Sequence, residues 1–185
     1  MGEEPQHNRR EALKRVAAAL KQTGFPFALI GGYAVWALGG PESDNDVDFL
    51  VAAEDAEAVA QELAEQGLQV DQPPEDWLFK VYTDDTVVDV IFRDSGMLTE
   101  RAVVENAREV EVLSVLMPVL SATEVLVQKL NAMDEHMCDF AGVLAAARAL
   151  REQVDWEQVR RETRVSPFAA AFLFLLERLD IIDRQ

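Results

Sequence analysis

A single cysteine, Cys138, stands in the 185 residues, so no disulfide can form within the chain. Such usage fits a reducing, cytoplasmic compartment. Histidine is nearly as scarce. His7 lies in a charged tail and His136 near a helix junction, which favours neither a Ser-His-Asp arrangement nor a Cys/His zinc site. Basic residues are few, 17 against 34 acids, and the net charge of −17 opposes non-specific binding to nucleic acid. No apolar run approaches the roughly 20 residues of a membrane helix. The longest, Phe168–Leu176, reads as a core helix. The start, "MGEEPQHNRR", lacks the apolar segment of a secretory signal. Neither G-x-x-x-x-G-K-[ST] nor G-x-G-x-x-G occurs, so no P-loop or dinucleotide fold is indicated.

What is present suits one globular domain with a real core, since 49% of the residues are apolar. Helical spacing covers Arg9–Gln22, and Gly24 stops it. A short buried strand follows at Phe25–Ile30, then Gly31-Gly32 turns the chain into a helix over Tyr33–Leu38. Asp46–Ala52 reads as a strand and Glu54–Gly67 as an amphipathic helix. Strands at Trp77–Thr83 and Thr86–Phe92 are joined by a tight hairpin at Asp84-Asp85, and Glu109–Leu120 forms one or two extended pieces. From Ser121 the period becomes helical. Ser121 and Glu124 form a capping box, and Ser166-Pro167 opens a last helix. Helices are expected over Ala122–Glu135, Asp139–Arg151, Trp156–Thr163 and Pro167–Leu179. The reading is thus an α+β fold: a core over residues 1–120 and an α-helical part over 121–185.

The chemistry concentrates in "LIGGYAVWALGGPESDNDVDFLV", Leu29 to Val51. Strand alternation puts Asp46 and Asp48 on one face, about 6.6–7 Å apart, and turns Val47, Phe49 and Val51 to the opposite core. Such a pair can share ions at two-metal spacing. Asp89 lies between valines in "VVDVIF", where an unpaired charge is costly. A metal shared with Asp46 and Asp48 would supply its partner, and so would Lys80 or Arg93. Asp44, Asp46 and Asp48 match the first ligands of a calcium loop, but Phe49 stands where that loop needs glycine. Gly31-Gly32 ends a strand and opens a helix, so backbone N–H groups face one spot that an anion can approach. An anion cradle beside a D-x-D strand, with a third carboxylate on a later strand, suits phosphoryl chemistry.

With these residues the chain resembles the nucleotidyltransferase superfamily that shares its core with DNA polymerase beta. "GGYAVWALGGPESDNDVDF" carries the glycine turn and D-x-D strand of that signature, and "VVDVIF" the third carboxylate. Within the superfamily it looks most like the small bacterial AbiEii and MenT type. The later segment "LSATEVLVQKLNAMDEHMCDF" resembles their helical motif, with Lys129 and Asp139 at its lysine and aspartate. Where many relatives have arginine before D-x-D, this chain has Glu42-Ser43-Asp44-Asn45.

The resemblance implies a mixed nucleotidyltransferase sheet flanked by helices. It implies catalytic and metal-binding roles for Asp46, Asp48 and Asp89 with two Mg²⁺ ions. Gly31, Gly32, Ser43 and Lys129 would bind the nucleoside triphosphate, with Asp139 and Lys80 as further site residues. The implied reaction moves a nucleoside monophosphate from an NTP to a hydroxyl on an RNA end such as tRNA, a protein or a cationic small molecule. A toxin-like role with an antitoxin-like partner is one version of this reading. The alternative is a non-catalytic nucleotide-binding or interaction module on a degenerate form of the fold.

Overall fold

Apolar alternation in the central strands and capping signals in the C-terminal helices are both realised in the computed structural model, which describes residues 3–74, 76–83, 86–94 and 97–184. The elements run α1 (Glu3–Thr23), β1 (Phe27–Ile30), α2 (Gly31–Ala37), β2 (Val47–Val51), α3 (Ala56–Glu65), β3 (Gln69–Asp71), β4 (Leu78–Thr83) and β5 (Thr86–Ile91). They continue with β6 (Arg93–Asp94), β7 (Met97–Leu98), α4 (Arg101–Glu105), β8 (Arg108–Val112), β9 (Val115–Val119), α5 (Ala122–Asn131), α6 (Phe140–Leu150), α7 (Trp156–Glu162) and α8 (Pro167–Arg178). Seven strands form one sheet in the order β3-β4-β5-β2-β1-β9-β8. The β2–β5 and β1–β9 pairs are parallel and the others antiparallel, so the sheet is mixed and the fold α+β.

The two sheet faces differ in burial, which positions the site. Val47 and Phe49 of β2 are register partners of Val88 and Val90 of β5, and these in turn of Val81 and Phe79 of β4. All six are buried, in one core with Leu13 and Leu20 of α1 and Leu63 of α3. The alternate residues therefore face the other way, and on β5 they are only half-buried. At the middle of the sheet α2 packs on β1 and β2 and also on α5, tying the sheet to the helices that follow.

Several elements escape the sequence patterns. The strand β3 has three residues, of which only Val70 is half-buried, so its pairing comes from β4 and not from apolar alternation. In the β8–β9 hairpin Leu113 and Ser114 adopt φ of 52° and 65°, left-handed values reached without glycine or asparagine. Helix α1 begins at Glu3, ahead of its apolar stripe, and α5 ends at Asn131, short of the expected Glu135. The expected turn at Asp84-Asp85 lies outside the described residues. No described helix is long and apolar enough to cross a membrane.

The capping signals set α5, the helix that carries Lys129. The Ser121 hydroxyl accepts from the Glu124 N–H at 3.2 Å, and the Glu124 carboxylate accepts from the Ser121 N–H at 3.3 Å. Ser166 caps α8 in the same way through the Ala169 N–H. We expect Ser121→Ala to lower the free energy of unfolding by about 1 kcal/mol. Urea unfolding checks this, and an unchanged midpoint would mean that packing alone starts α5.

Candidate active site

With Val47 and Phe49 committed to the core, alternation leaves Asp48 on the half-buried face. Parallel pairing then sets Asp48 directly beside Asp89, and antiparallel pairing sets Lys80 on the other side of Asp89. Asp71 of β3 pairs with Lys80 in turn. Four charged residues thus form a row across four strands, at roughly 4.8 Å per strand. Asp46, exposed at the foot of β2, adds its charge to the Asp48 end.

Electrostatics in this row are strained at Asp48. Burial pushes its carboxyl up to about 7, and the charges of Asp89 and Asp46 push the same way, against weaker pulls from Lys129 and Lys80. Among the described residues no hydrogen-bond donor reaches the Asp46 or Asp48 carboxylate. Asp89 differs. The Lys80 ammonium donates to its Oδ1 at 2.9 Å, and this bond is the first cause of the raised Lys80 pKa. Of the protein partners the sequence offered for Asp89, Lys80 is thus the one in place, while Arg93 pairs with Asp76 at 2.7 Å.

Among the described residues no three His, Cys, Asp or Glu side chains stand gathered as a ready metal site. The case for a cation rests instead on charge. Asp46, Asp48 and Asp89 set three carboxylates against Lys80 and Lys129, and the innermost carboxylate lacks a donor. Hard oxygen ligands in excess over nearby cations suit a hard cation.

The glycine pair meets the row at its edge. Gly31 opens α2 at φ 67°, and a Cβ there would lie 2.3 Å from Asp48 Oδ2. A Cβ on Gly32 would lie 2.2 Å from the Ser43 hydroxyl oxygen. Both positions therefore require glycine, for close approach to side chains of the D-x-D segment. The helix they start has only seven residues, so its dipole adds little.

Gly32 and Ser43 share a cleft of about 390 Å³ with Lys129 and Asp139. Burial lowers the Lys129 pKa, opposed by the charges of Asp48 and Asp139, so its ammonium feels both the row and the start of α6. Asp139 also caps α6, accepting from the Gly142 N–H at 3.0 Å. The geometry thus sets Asp48, Asp89 and Lys80 in register on the sheet with Asp46 just ahead of β2, and places Gly32, Ser43, Lys129 and Asp139 around the adjoining cleft.

One participant, Arg10, escapes sequence reasoning. Glu42 lines this cleft, and Arg10 of α1 holds it by two bonds of 2.7 Å. The acid in place of a base is thus neutralised from the N-terminal helix. A contact spanning 32 positions leaves no local spacing signal, and only the odd acid beside the D-x-D marked the place.

The family model described as "Nucleotidyl transferase of unknown function (DUF2204)" matches residues 9–179. A search of curated proteins finds no match. Among solved structures the chain is similar to ANT(2")-Ia in complex with adenylyl-2"-tobramycin, at 14% identity and a TM-score of 0.60, covering 91% of this chain and 98% of that one. It is also similar to the solution structure of the antibiotic-resistance factor ANT(2'')-Ia, at 14% identity and a TM-score of 0.59, covering 94% and 98%. An antigenic nucleotidyltransferase-like protein from Paracoccidioides brasiliensis aligns at 11% identity and a TM-score of 0.50, covering 92% and 87%. At such identities the likeness is one of fold.

The state of Asp48 has a pH signature in metal-free protein. Its folded pKa of about 7 lies above the ordinary carboxylate value of 3.8, so between them the native state binds the extra proton. Its stabilising contribution is therefore full below the lower value and lost as pH rises through about 7, on the order of a few kcal/mol in all. We expect Asp48→Asn in EDTA to flatten this fall and to melt above wild type at pH 8. Parallel stability profiles for the two proteins would show that Asp48 is not strained.

Proposed function

The chain belongs to the nucleotidyl transferase family whose model spans residues 9–179, and from that premise we propose that it moves a nucleoside monophosphate from an NTP onto an acceptor hydroxyl. The observation that supports this best is the register pairing of Asp48 with Asp89, on the half-buried sheet face beside the Gly31-Gly32 turn and Lys129. The acceptor oxygen attacks the α-phosphorus, the bond from that phosphorus to the bridging oxygen breaks, and pyrophosphate leaves. The hydroxyl proton passes to Asp89, whose neighbour Lys80 donates to its Oδ1 and holds the carboxylate in place.

Asp46, Asp48 and Asp89 would hold two Mg²⁺ ions, which when bound supply the positive charge that steadies triphosphate and pyrophosphate. Lys129 donates to the phosphate oxygens from α5, and the missing side chains at Gly31 and Gly32 let Asp48 and Ser43 pack against the turn where the triphosphate would bind. Ser43 offers a hydroxyl at the same wall, and Asp139 orients Lys129 by its charge. The net charge of −17 favours a cationic small molecule over a large RNA as acceptor. The adenylyl-2"-tobramycin held by the similar ANT(2")-Ia is a small molecule carrying such a transferred group.

Incubation with NTPs labelled at the α- or the γ-phosphate, Mg²⁺ and a panel of acceptors tests the reaction. We expect α-label on the acceptor and γ-label in pyrophosphate. Transfer of the γ-label, or release of free phosphate alone, would overturn the proposal. Lys129→Ala should weaken NTP binding by roughly 1.5–3 kcal/mol, the worth of a charged hydrogen bond. Calorimetric titration with Mg-NTP reads this loss, and an unchanged affinity would remove Lys129 from the nucleotide site.

A further inference from the structure

The loop from α2 to β2 carries Ser43 and Asp46 yet has few ties to the rest of the fold. At its start the N–H groups of Gly39 and Gly40 donate back to the Trp36 and Val35 carbonyls. Sheet pairing resumes only at Val47. Between these points, among the described residues, the Asn45 N–H donates to the Ser43 hydroxyl at 3.1 Å, inside the loop itself. Among the described residues Gln153 Nε2 donates to the Leu38 carbonyl at the loop's start, at 2.9 Å, and the hydrogen bonds that reach residues 41–46 from another element both come from Arg10. Its Nε donates to Glu42 Oε1 and its Nη2 to Glu42 Oε2, each at 2.7 Å.

Arg10 is itself held. Its guanidinium lies 5.5 Å from the centroid of the Trp36 ring, which meets the buried Tyr33 ring edge-on at 6.0 Å. A planar fork fixed over an aromatic face presents its two donors in one direction, which a lysine ammonium cannot do. The residue after Glu42 is Ser43, buried, with its hydroxyl packed where any side chain on Gly32 would have to go. Three residues further on stands Asp46. The chain of contacts therefore runs from α1 through Glu42 and Ser43 to Gly32, in the wall of the cleft.

We infer that Arg10 is a positioning residue for the nucleotide pocket: through Glu42 it seats Ser43 against Gly32 and sets the approach of Asp46 to the carboxylate row. The inference rests on the nucleotidyl-transfer reading of this cleft. Arg10 acts through Glu42, and the two form one unit. Glu42→Gln discriminates best, because removing a negative charge from the cleft would by itself favour a triphosphate. Weaker binding in that variant reports lost position and not lost charge.

The test combines R10Q, R10K, E42Q and the double variant R10Q/E42Q. R160Q serves as a control, breaking the half-buried Arg160–Glu177 pair between α7 and the end of α8. Dissociation constants for Mg-ATP, Mg-GTP, Mg-CTP and Mg-UTP are measured by calorimetry well below each melting temperature. For whichever nucleotide wild type binds, we expect R10Q and E42Q each to weaken binding about ten-fold, the effect of a displaced binding wall. R10K should recover little of this loss, and the double variant should be no worse than either single one. R160Q should lower the melting temperature and leave affinity unchanged.

Amide exchange over residues 42–46 without nucleotide should rise in R10Q and not in R160Q. This arm holds even if wild type binds no Mg-NTP, a result that would defeat the transfer reading and leave the positioning claim to be judged on exchange alone. Unchanged exchange, tighter binding in E42Q, or losses that add in the double variant would each overturn the inference.

Discussion

Backbone hydrogen bonds between the parallel strands β2 and β5 put Asp48 and Asp89 at one level of the sheet and so force two carboxylates together. The register cannot slip to relieve them. A shift of one residue would turn either Val47 and Phe49 or Val88 and Val90 out of the core, and burying those side chains is worth roughly 1.5–3 kcal/mol each. The apolar face thus holds the charged face in place. Repulsion at Asp48 is the local cost of a pairing that the core makes favourable.

The neighbouring elements answer that charge unequally. Lys80 on β4 meets Asp89 at hydrogen-bond distance, while Lys129 on α5 reaches Asp48 only through its field, and Asp46 stays exposed. Asp48 is left as the least compensated carboxylate of the set. The cleft beside it is lined from three directions: the glycine turn before α2, the Glu42–Asn45 loop, and the helices α5 and α6. Each wall starts or ends at a helix boundary that a short sequence motif defines, as Ser121 does for α5 and Asp139 for α6.

Much of this arrangement was legible because it is local. Period-two alternation in "DVDFLV" fixed which residues face the core, and the capping box fixed the start of α5. Glycines at 31 and 32 marked the turn between β1 and α2. The partner of Asp89 was legible only as a choice among a metal, Lys80 and Arg93, since which strand lies beside β5 is a matter of topology. Topology also hid Asp71, whose place in the charged row follows from a three-residue strand with no apolar pattern. Arg10 was hidden for a related reason. On α1 it reads as an ordinary surface base, and its role appears only when a helix from the start of the chain lies against the loop before β2.

The parallel β2–β5 pair also bears on how the molecule reaches its native state. Parallel neighbours cannot be joined by a tight turn, and here α3 and the β3–β4 strands intervene. The chain must pay the closure entropy of that long excursion before the two strands can meet, whereas the β4–β5 and β8–β9 pairs form between near neighbours in sequence. Asp48 and Asp89 therefore come together late, after the local hairpins and helices have formed. During most of folding the carboxylates stay apart and hydrated, and the electrostatic strain arises only when the core that tolerates it is nearly complete.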